Sequence, residues 1–470
     1  MTTSAKSNVV ELRPEPAEPP PAPTVIIQVA NRTLMVKDAG HLPLGHFVRV
    51  GNAVGCVVEH KKNVALVRTA YQQQQPGEWL APTRAIEPGT PVTPLLNEDW
   101  KSLLQSLNPK RIRVGKIRQD GIDQCAYIPP LQHVRMLVMA ASGGGKSTAL
   151  ISMITHWRNS FLQALTKPGN GRVQLPGCLC IDPKGDFGGT NYDEDGKLRP
   201  SLGRCLIEEP ILVGAGTFTC TLEDVPIPVL RRCLENLSKA QVRWCDTNLT
   251  DETGHAKIRA VLGNPHAWPQ EFPEMTLNGE ITHAGKETLG NLRTRFTALL
   301  KEPLFTDRSS TWQGILGKLY QGKCVVVDVS QFPEKQRSIV VVLMMKMLRT
   351  RQQEAKGLPY PIVFFADEFH RFKDAEAEAR DFFREIRQFN IGVVLSSQQL
   401  TDFPETLVNN ATHAVVLQVQ HLNRARLVKS YDGLKPFEHT LTSLKPGQGF
   451  LIARDGVAIP VYFNEPAFLR

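Results

Sequence analysis

A glycine-rich segment, Ala140-Ala-Ser-Gly-Gly-Gly-Lys-Ser147, constrains the fold of this chain more than any other stretch. It follows a short apolar run, Met136–Ala140, which predicts a buried strand. Beyond it, apolar residues recur at helical spacing at Leu150, Ile154, Trp157 and Phe161. A strand, a glycine loop and a helix in this order are the context that a phosphate-binding loop requires.

The residue types in the loop explain how it would hold a nucleotide. Its three glycines allow backbone conformations closed to other residues, so successive N–H groups can converge on phosphate oxygens at the positive end of a helix. We expect Lys146 to reach the β- and γ-phosphates of ATP and Ser147 to ligate Mg²⁺. Thr148 is a second hydroxyl, but its spacing favours it less as a metal ligand. The residues expected to contact nucleotide are Ala140, Ser142, Gly143, Gly144, Gly145, Lys146, Ser147 and Thr148.

Two neighbouring carboxylates, Asp367 and Glu368, follow the apolar run Ile362–Ala366. Adjacent side chains on a strand point to opposite faces, but at the end of a strand the chain turns and both can face one site. We expect Asp367 to hold Mg²⁺ through its water shell and Glu368 to polarise the water that attacks the γ-phosphate. This pair favours a hydrolase over a kinase. A carboxylate pair that ends a strand in solvent is the alternative.

A third apolar run, Ile391–Ser397, predicts another buried strand, and Gln398 follows it directly. An amide at this point is placed to sense the γ-phosphate of ATP. The alternative is that Gln398 belongs to an ordinary polar loop.

In this order the motifs resemble those of the HerA and FtsK branch of P-loop ATPases. Two further segments are similar to parts of that family: Cys180–Phe187 resembles its second strand and Asp-Pro-Lys turn, and Cys324–Ser330 resembles the strand before its acidic motif. The sequence leaves open whether Asp182 and Lys184 serve the site or are only a turn residue and a surface lysine. The resemblance implies an α/β fold, with a RecA-like P-loop ATPase core that contains an additional strand and a catalytic glutamate.

The segment Arg384–Gly392 is similar to a family segment whose arginines serve the nucleotide of the neighbouring subunit. The resemblance therefore makes Arg384 and Arg387 candidate catalytic residues acting in trans. The alternative is a solvated face of a helix from Asp374 to Phe389, since acidic residues alternate with the arginines there.

Composition along the chain predicts five regions. Residues 1–23 are rich in Pro, Ala and Glu and form a disordered tail. Short β-branched runs separated by Gly and Asn turns predict a small N-terminal β-barrel over residues 24–100. Residues 101–189 form the first part of the ATPase core, residues 190–323 a helical insertion, and residues 324–470 the second part of the core. A β-module with only a packing role is the alternative for the barrel.

The overall composition agrees with a large α/β protein that binds a polyanion. The chain has 470 residues, 41% of them hydrophobic, and a formal net charge of +9, which favours nucleic acid as a partner. Nine cysteines without metal-type spacing suggest reduced thiols in a cytoplasmic protein, with Cys178 and Cys180 in the core. The apolar run Ile339–Met345 is far shorter than the roughly 20 residues that span a bilayer. We therefore expect no membrane span.

Together, the motifs and the resemblance imply a hexameric ATPase that translocates or unwinds double-stranded DNA. The resemblance also implies a partner docked on the N-terminal barrel, either a NurA-like nuclease in DNA-end processing or an effector in antiviral defence. Two other readings stay open: an ATPase of type IV secretion or conjugation, and an ATP-dependent ring that serves as a scaffold and activates a partner effector.

Overall fold

A computed structural model describes most of the chain. The described residues are 24–30, 33–37, 39–75, 78–80, 85–107, 112–119, 122–165, 175–188, 200–206, 208–215, 217–234, 237–250, 253–306, 311, 313–354, 360–453 and 457–463. The chain divides into two compact units, with the boundary between Leu96 and Asn97. The predicted tail of residues 1–23 lies outside the described residues.

The first unit is built on an antiparallel sheet of seven strands in the order β1-β2-β5-β4-β3-β7, with β6 paired to β5. Its strands are β1 (Val25–Ala30), β2 (Thr33–Lys37), β3 (Phe47–Val50), β4 (Ala53–Lys61), β5 (Val64–Gln75), β6 (Glu78–Leu80) and β7 (Val92–Pro94). Alternating residues such as Val36, Val57 and Val67 fill its core, as the two-residue period of a strand requires. An isolated bridge between Val25 and Pro91 nearly closes the sheet, which fits the predicted small barrel.

The second unit contains a sheet of eleven strands in the order β12-β15-β11-β16-β17-β10-β18-β19-β20-β8-β9, and a two-stranded sheet of β13 and β14. Its strands are β8 (Ile112–Ile117), β9 (Cys125–Ile128), β10 (Arg135–Met139), β11 (Gly177–Asp182), β12 (Ile211–Val213), β13 (Thr276–Leu277), β14 (Glu280–Ile281), β15 (Cys324–Asp328), β16 (Ile362–Ala366), β17 (Ile391–Ser397), β18 (His413–Val416), β19 (Gln448–Ala453) and β20 (Ala458–Phe463).

The helices of the second unit are α1 (Asn97–Leu107), α2 (Lys146–Leu165), α3 (Leu202–Cys205), α4 (Ile227–Cys233), α5 (Lys239–Asn248), α6 (Gly254–Leu262), α7 (Trp268–Glu271), α8 (His283–Leu300), α9 (Gln313–Tyr320), α10 (Glu334–Glu354), α11 (Glu376–Glu385), α12 (Glu405–Asn410) and α13 (His421–Ser430). Within the described ranges, no helix is both long and apolar enough to cross a membrane.

Seven neighbouring strands of the large sheet, from β12 to β18 in its order, run parallel, and the remaining four pair antiparallel. Every residue of β16 and β17 is buried. Parallel strands that helices cover on both faces have no solvent side, so their sequences are nearly continuous apolar runs. The strands predicted from the apolar runs before the glycine loop, the carboxylate pair and Gln398 are confirmed as β10, β16 and β17. This is an α/β fold.

The segment predicted as a helical insertion, residues 190–323, is not only helical. Helices α3 to α9 lie in it, but β12 also lies there and pairs in parallel with β15 at the edge of the large sheet. A strand of three residues is too short for its periodicity to stand out in the sequence. The boundaries of this insertion stay a prediction.

The cysteines are free thiols, as predicted, and all but Cys125 are buried. Cys178 and Cys180 lie in the core on β11, where burial raises the pKa of both thiols well above the ordinary value. These side chains act as small apolar groups in the packing of the sheet.

Candidate active site

Strand order brings the three predicted motifs to one edge of the large sheet. Strand β17 lies between β10 and β16, with Met139 opposite Ser397 and Ala366 opposite Leu395. All three strands are parallel, so their carboxyl ends lie at the same edge, where ligands bind in open α/β sheets. The glycine loop, the carboxylate pair and Gln398 each follow one of these ends directly.

The glycine loop has a backbone that only glycine adopts easily. Gly143 and Gly145 have φ angles of +77° and +86°, in the left-handed region. At Gly144, a Cβ atom would lie 3.1 Å from the carbonyl oxygens of both Ala141 and Gln418. Helix α2 begins directly after this loop, and the first N–H groups of a helix have no partner within it. The loop and the helix start together suit an anion.

Lys146 is the first residue of α2, and its ammonium group lies inside the site. Only 7% of its side chain is exposed. Its Nζ contacts Glu368 Oε1 and lies 3.6 Å from Asp367 Oδ1. The lysine of the loop and both predicted carboxylates therefore form one buried cluster of charges.

Ser147 and Asp367 lie together, as a shared metal ion would require. The Ser147 hydroxyl donates a hydrogen bond to Asp367 Oδ2 at 3.2 Å. Asp367 Oδ1 accepts hydrogen bonds from the Ser396 hydroxyl and, at 2.8 Å, from the Glu368 N–H. Mg²⁺ prefers oxygen donors and usually keeps several waters, so Ser147 can ligate it directly while Asp367 holds it through the water shell. The two hard oxygen donors therefore fit a Mg²⁺ site.

Glu368 is held from both sides by polar groups. Its Oε1 accepts from Lys146 and, at 2.9 Å, from Lys184 Nζ. Its Oε2 accepts from Gln398 Nε2 at 3.2 Å and lies 3.3 Å from His370 Nε2. The side chain is 1% exposed, so these partners replace the water that an ionised carboxylate needs.

The backbone of Glu368 is strained. Its φ angle is +49°, in the left-handed region, which costs a residue with a side chain about 1–2 kcal/mol. Strained residues of this kind cluster at functional sites, where the surrounding structure enforces them. The strained turn at the end of β16 allows Asp367 and Glu368 to face the same site.

The charges around Glu368 set its ionisation. Burial by itself raises the pKa of this carboxyl, but the hydrogen bonds and charges of Lys146 and then Lys184 outweigh it and lower the pKa from 4.5 to about 2. A lowered carboxyl pKa stabilises the folded chain above pH 4.5, and that contribution is lost as the pH falls from 4.5 to about 2. Glu368 is therefore ionised at neutral pH.

Two residues in contact with Glu368 were not predicted as site residues from the sequence. His370 stands two residues after the carboxylate pair, and its Nδ1 lies 2.8 Å from the Ser397 hydroxyl at the end of β17. Ser397 in turn donates to Asp402 Oδ2 at 2.5 Å. Lys184, which the sequence left undecided, reaches Glu368 from the end of β11. In the sequence, the only indication that His370 belongs to the site is its position two residues after the carboxylate pair.

The structure describes the two candidate arginines to different extents. Arg384 lies in the last turn of α11 with its side chain exposed, and none of the described contacts of Glu368 involves it. Arg387 lies in a 3₁₀ helix over Ile386–Phe389, and its side chain is outside the described part of the chain. The role of both arginines stays a prediction.

Comparison with known proteins gives three similar proteins with the same name. The DNA double-strand break repair helicase HerA of Sulfolobus acidocaldarius is 22% identical over 402 residues, which cover 80% of this chain and 73% of HerA. The corresponding HerA of Saccharolobus solfataricus is 23% identical over 401 residues, covering 78% and 70%. This chain is therefore similar to HerA at low sequence identity. The resemblance predicted from the motifs is confirmed.

Two further comparisons accompany the likeness to HerA. No protein-family model matches the chain. Among solved structures, VirB4 of Thermoanaerobacter pseudethanolicus is 15% identical and covers 76% of this chain and 96% of its own length, with a TM-score of 0.49.

Proposed function

We propose that this chain is an ATPase of HerA type that uses ATP hydrolysis to translocate along double-stranded DNA or to unwind it. The observation that carries the proposal is the convergence of Lys146, Ser147, Asp367, Glu368 and Gln398 at the carboxyl ends of parallel strands in the large sheet. The name of the relatives, DNA double-strand break repair helicase, supports DNA as the substrate that is moved.

In this proposal the glycine loop and Lys146 bind the phosphates of ATP. The N–H groups at the start of α2 face the phosphate oxygens, and Lys146 leaves its contact with Glu368 to reach the β- and γ-phosphates. Ser147 and Asp367 would hold Mg²⁺, which neutralises charge on the phosphates when it is bound. ATP binding therefore replaces the ion pair between Lys146 and Glu368 with contacts between Lys146 and the phosphates.

Glu368 then acts on water. An ionised carboxylate accepts a proton, and Lys184, which lowers the pKa of Glu368 together with Lys146, stays on Oε1 when Lys146 turns to the phosphates. Gln398 Nε2 already donates a hydrogen bond to Glu368 Oε2. A movement of this amide when the γ-phosphate binds would therefore also shift the position of Glu368. We assign Glu368 as the residue that orients and activates the attacking water, and Gln398 as the sensor.

The assembly and its partner are the finer part of the proposal. We propose a ring of about six subunits in which Arg384 or Arg387 reaches the nucleotide of the next subunit, as the HerA resemblance implies. The exposed position of Arg384 supports contact with another subunit. A partner nuclease or defence effector would dock on the first unit, and a cytoplasmic location stays part of this prediction.

Stimulation by DNA tests the proposed function. We expect linear double-stranded DNA to raise ATP hydrolysis at least several-fold, with an effective DNA concentration that rises steeply with salt because basic side chains would contact phosphates. Steady-state hydrolysis is measured with no DNA, with single-stranded DNA and with linear duplex of equal length.

The three DNA conditions separate the proposed function from its rivals. Equal or stronger stimulation by single strands would favour a conjugation-type ATPase over a duplex translocase. Hydrolysis that no DNA changes would favour a ring that activates a partner enzyme.

A further inference from the structure

Lys184 lies in a turn whose shape is set by a single buried carboxylate. Asp182, the last residue of β11, accepts hydrogen bonds from four successive backbone N–H groups: Lys184 at 3.2 Å, Gly185 at 2.8 Å, Asp186 at 3.1 Å and Phe187 at 2.7 Å. Burial raises the pKa of Asp182 to about 6, although these N–H groups oppose the rise. The backbone that carries Lys184 is therefore fixed by the fold.

This turn stands beside the proposed catalytic base. Strand β11 pairs in parallel with β16, with Ile181 opposite Ala366, so the residues after both strands share one edge of the sheet. Lys184 Nζ reaches the same oxygen of Glu368 that Lys146 contacts. One third of the Lys184 side chain is exposed, whereas Glu368 is almost completely buried.

ATP binding would change the balance of charge around Glu368. Under the proposed function, on which this step rests, Lys146 turns to the phosphates and leaves Oε1 of Glu368. A buried carboxylate without a cation is strongly unfavourable. The other basic groups near Glu368 face Oε2: Arg371 at 4.0 Å, and His370, which is charged only when it is protonated. Of the two lysines on Oε1, Lys184 is then the one that remains.

We propose that Lys184 is a positioning residue for ATP hydrolysis, which holds Glu368 in place after ATP has taken Lys146. It acts through the base rather than on the nucleotide. Lys146 and Lys184 thus have successive roles at Oε1 of Glu368. Lys146 pairs with this oxygen until ATP binds, and Lys184 then keeps the carboxylate aligned with the attacking water.

The test replaces Lys184 with methionine, which removes the charge and keeps most of the side-chain length. We expect kcat for ATP to fall about tenfold or more, because a small misplacement of the base is costly, while KM changes by less than about twofold. Lys184→Arg should restore most of the activity. Lys323→Met is the matched control, since Lys323 is a comparably exposed lysine that faces Glu208 at 3.9 Å, and it should leave kcat unchanged.

The Lys184→Met substitution in the Glu368→Gln variant tests whether Lys184 acts through Glu368 or in some other way. Combined with Glu368→Gln, Lys184→Met should lower hydrolysis no further, because Lys184 acts through Glu368. An unchanged or raised kcat in Lys184→Met, a change confined to KM, or a further loss in the double variant would each overturn the proposal. Binding of ATP by each variant confirms that the variant is folded. If Lys184→Met does not fold, Lys184→Gln takes its place in the test.

The parent chain distinguishes this inference from the proposed function. If the parent does not hydrolyse ATP, the proposed function itself is wrong. If the parent hydrolyses ATP and Lys184→Met does so equally well, only the role of Lys184 is wrong.

Discussion

Glu368→Gln should bind ATP but hydrolyse it about 10² to 10⁴ times more slowly than the parent, because an amide cannot accept the proton of the attacking water. The substitution keeps the size of the side chain and leaves Lys146 and the glycine loop in place. Lys146→Ala should differ from it by weakening ATP binding as well. Equilibrium binding of a fluorescent ATP analogue and steady-state release of phosphate measure the two effects separately.

A matched control for this variant is Glu438→Gln, which makes the same change at a glutamate that pairs with Arg424 at 3.3 Å and takes part in none of the described contacts of Glu368. It should hydrolyse ATP at the rate of the parent. Normal turnover by Glu368→Gln would show that the base has been assigned to the wrong residue.

Arginine variants should lose about 10³-fold or more of the hydrolysis rate and regain part of it when mixed with a complementary variant. A residue that acts in trans contributes nothing to its own subunit's nucleotide. Mixed rings of Arg387→Ala and Glu368→Gln chains therefore contain some sites with a normal arginine facing a normal base. Activity of the mixture above that of either variant alone is the expected result, and the same experiment applies to Arg384.

The ring itself is checked by mass photometry, which should give about six subunits for the parent and for both arginine variants. Arg380→Ala is the control, because Arg380 lies on α11, the helix that carries Arg384, and faces Asp381 at 3.6 Å on the exposed surface. A fully active monomer, or arginine variants that hydrolyse ATP normally, would contradict catalysis in trans.

The central strands were predictable because their chemistry is local. An apolar run followed by glycines, by a carboxylate pair or by a polar amide is visible along the chain, and parallel strands buried on both faces must be such runs. This is why β10, β16 and β17 were found with nearly correct bounds. Strand β12 was not, since three residues at a sheet edge carry too little pattern to separate them from a loop.

The contacts around Glu368 were less predictable because they depend on register between strands distant in sequence. Lys184 reaches Glu368 only because β11 pairs with β16, and no local feature of the turn after β11 indicates that neighbour. His370 likewise contacts Ser397, 27 residues away, through the pairing of β16 with β17. The sequence predicts which residues carry chemistry, whereas their mutual distances follow from the order of strands.

Displacement of a third strand from a DNA triplex tests the central claim most directly. A motor that moves along duplex DNA strips the third strand from its path, whether or not it separates the duplex. We predict that the parent chain with ATP and Mg²⁺ releases a labelled third strand from a linear duplex, and that Glu368→Gln does not. Hydrolysis of ATP stimulated by the same duplex, without release of the third strand, would contradict translocation.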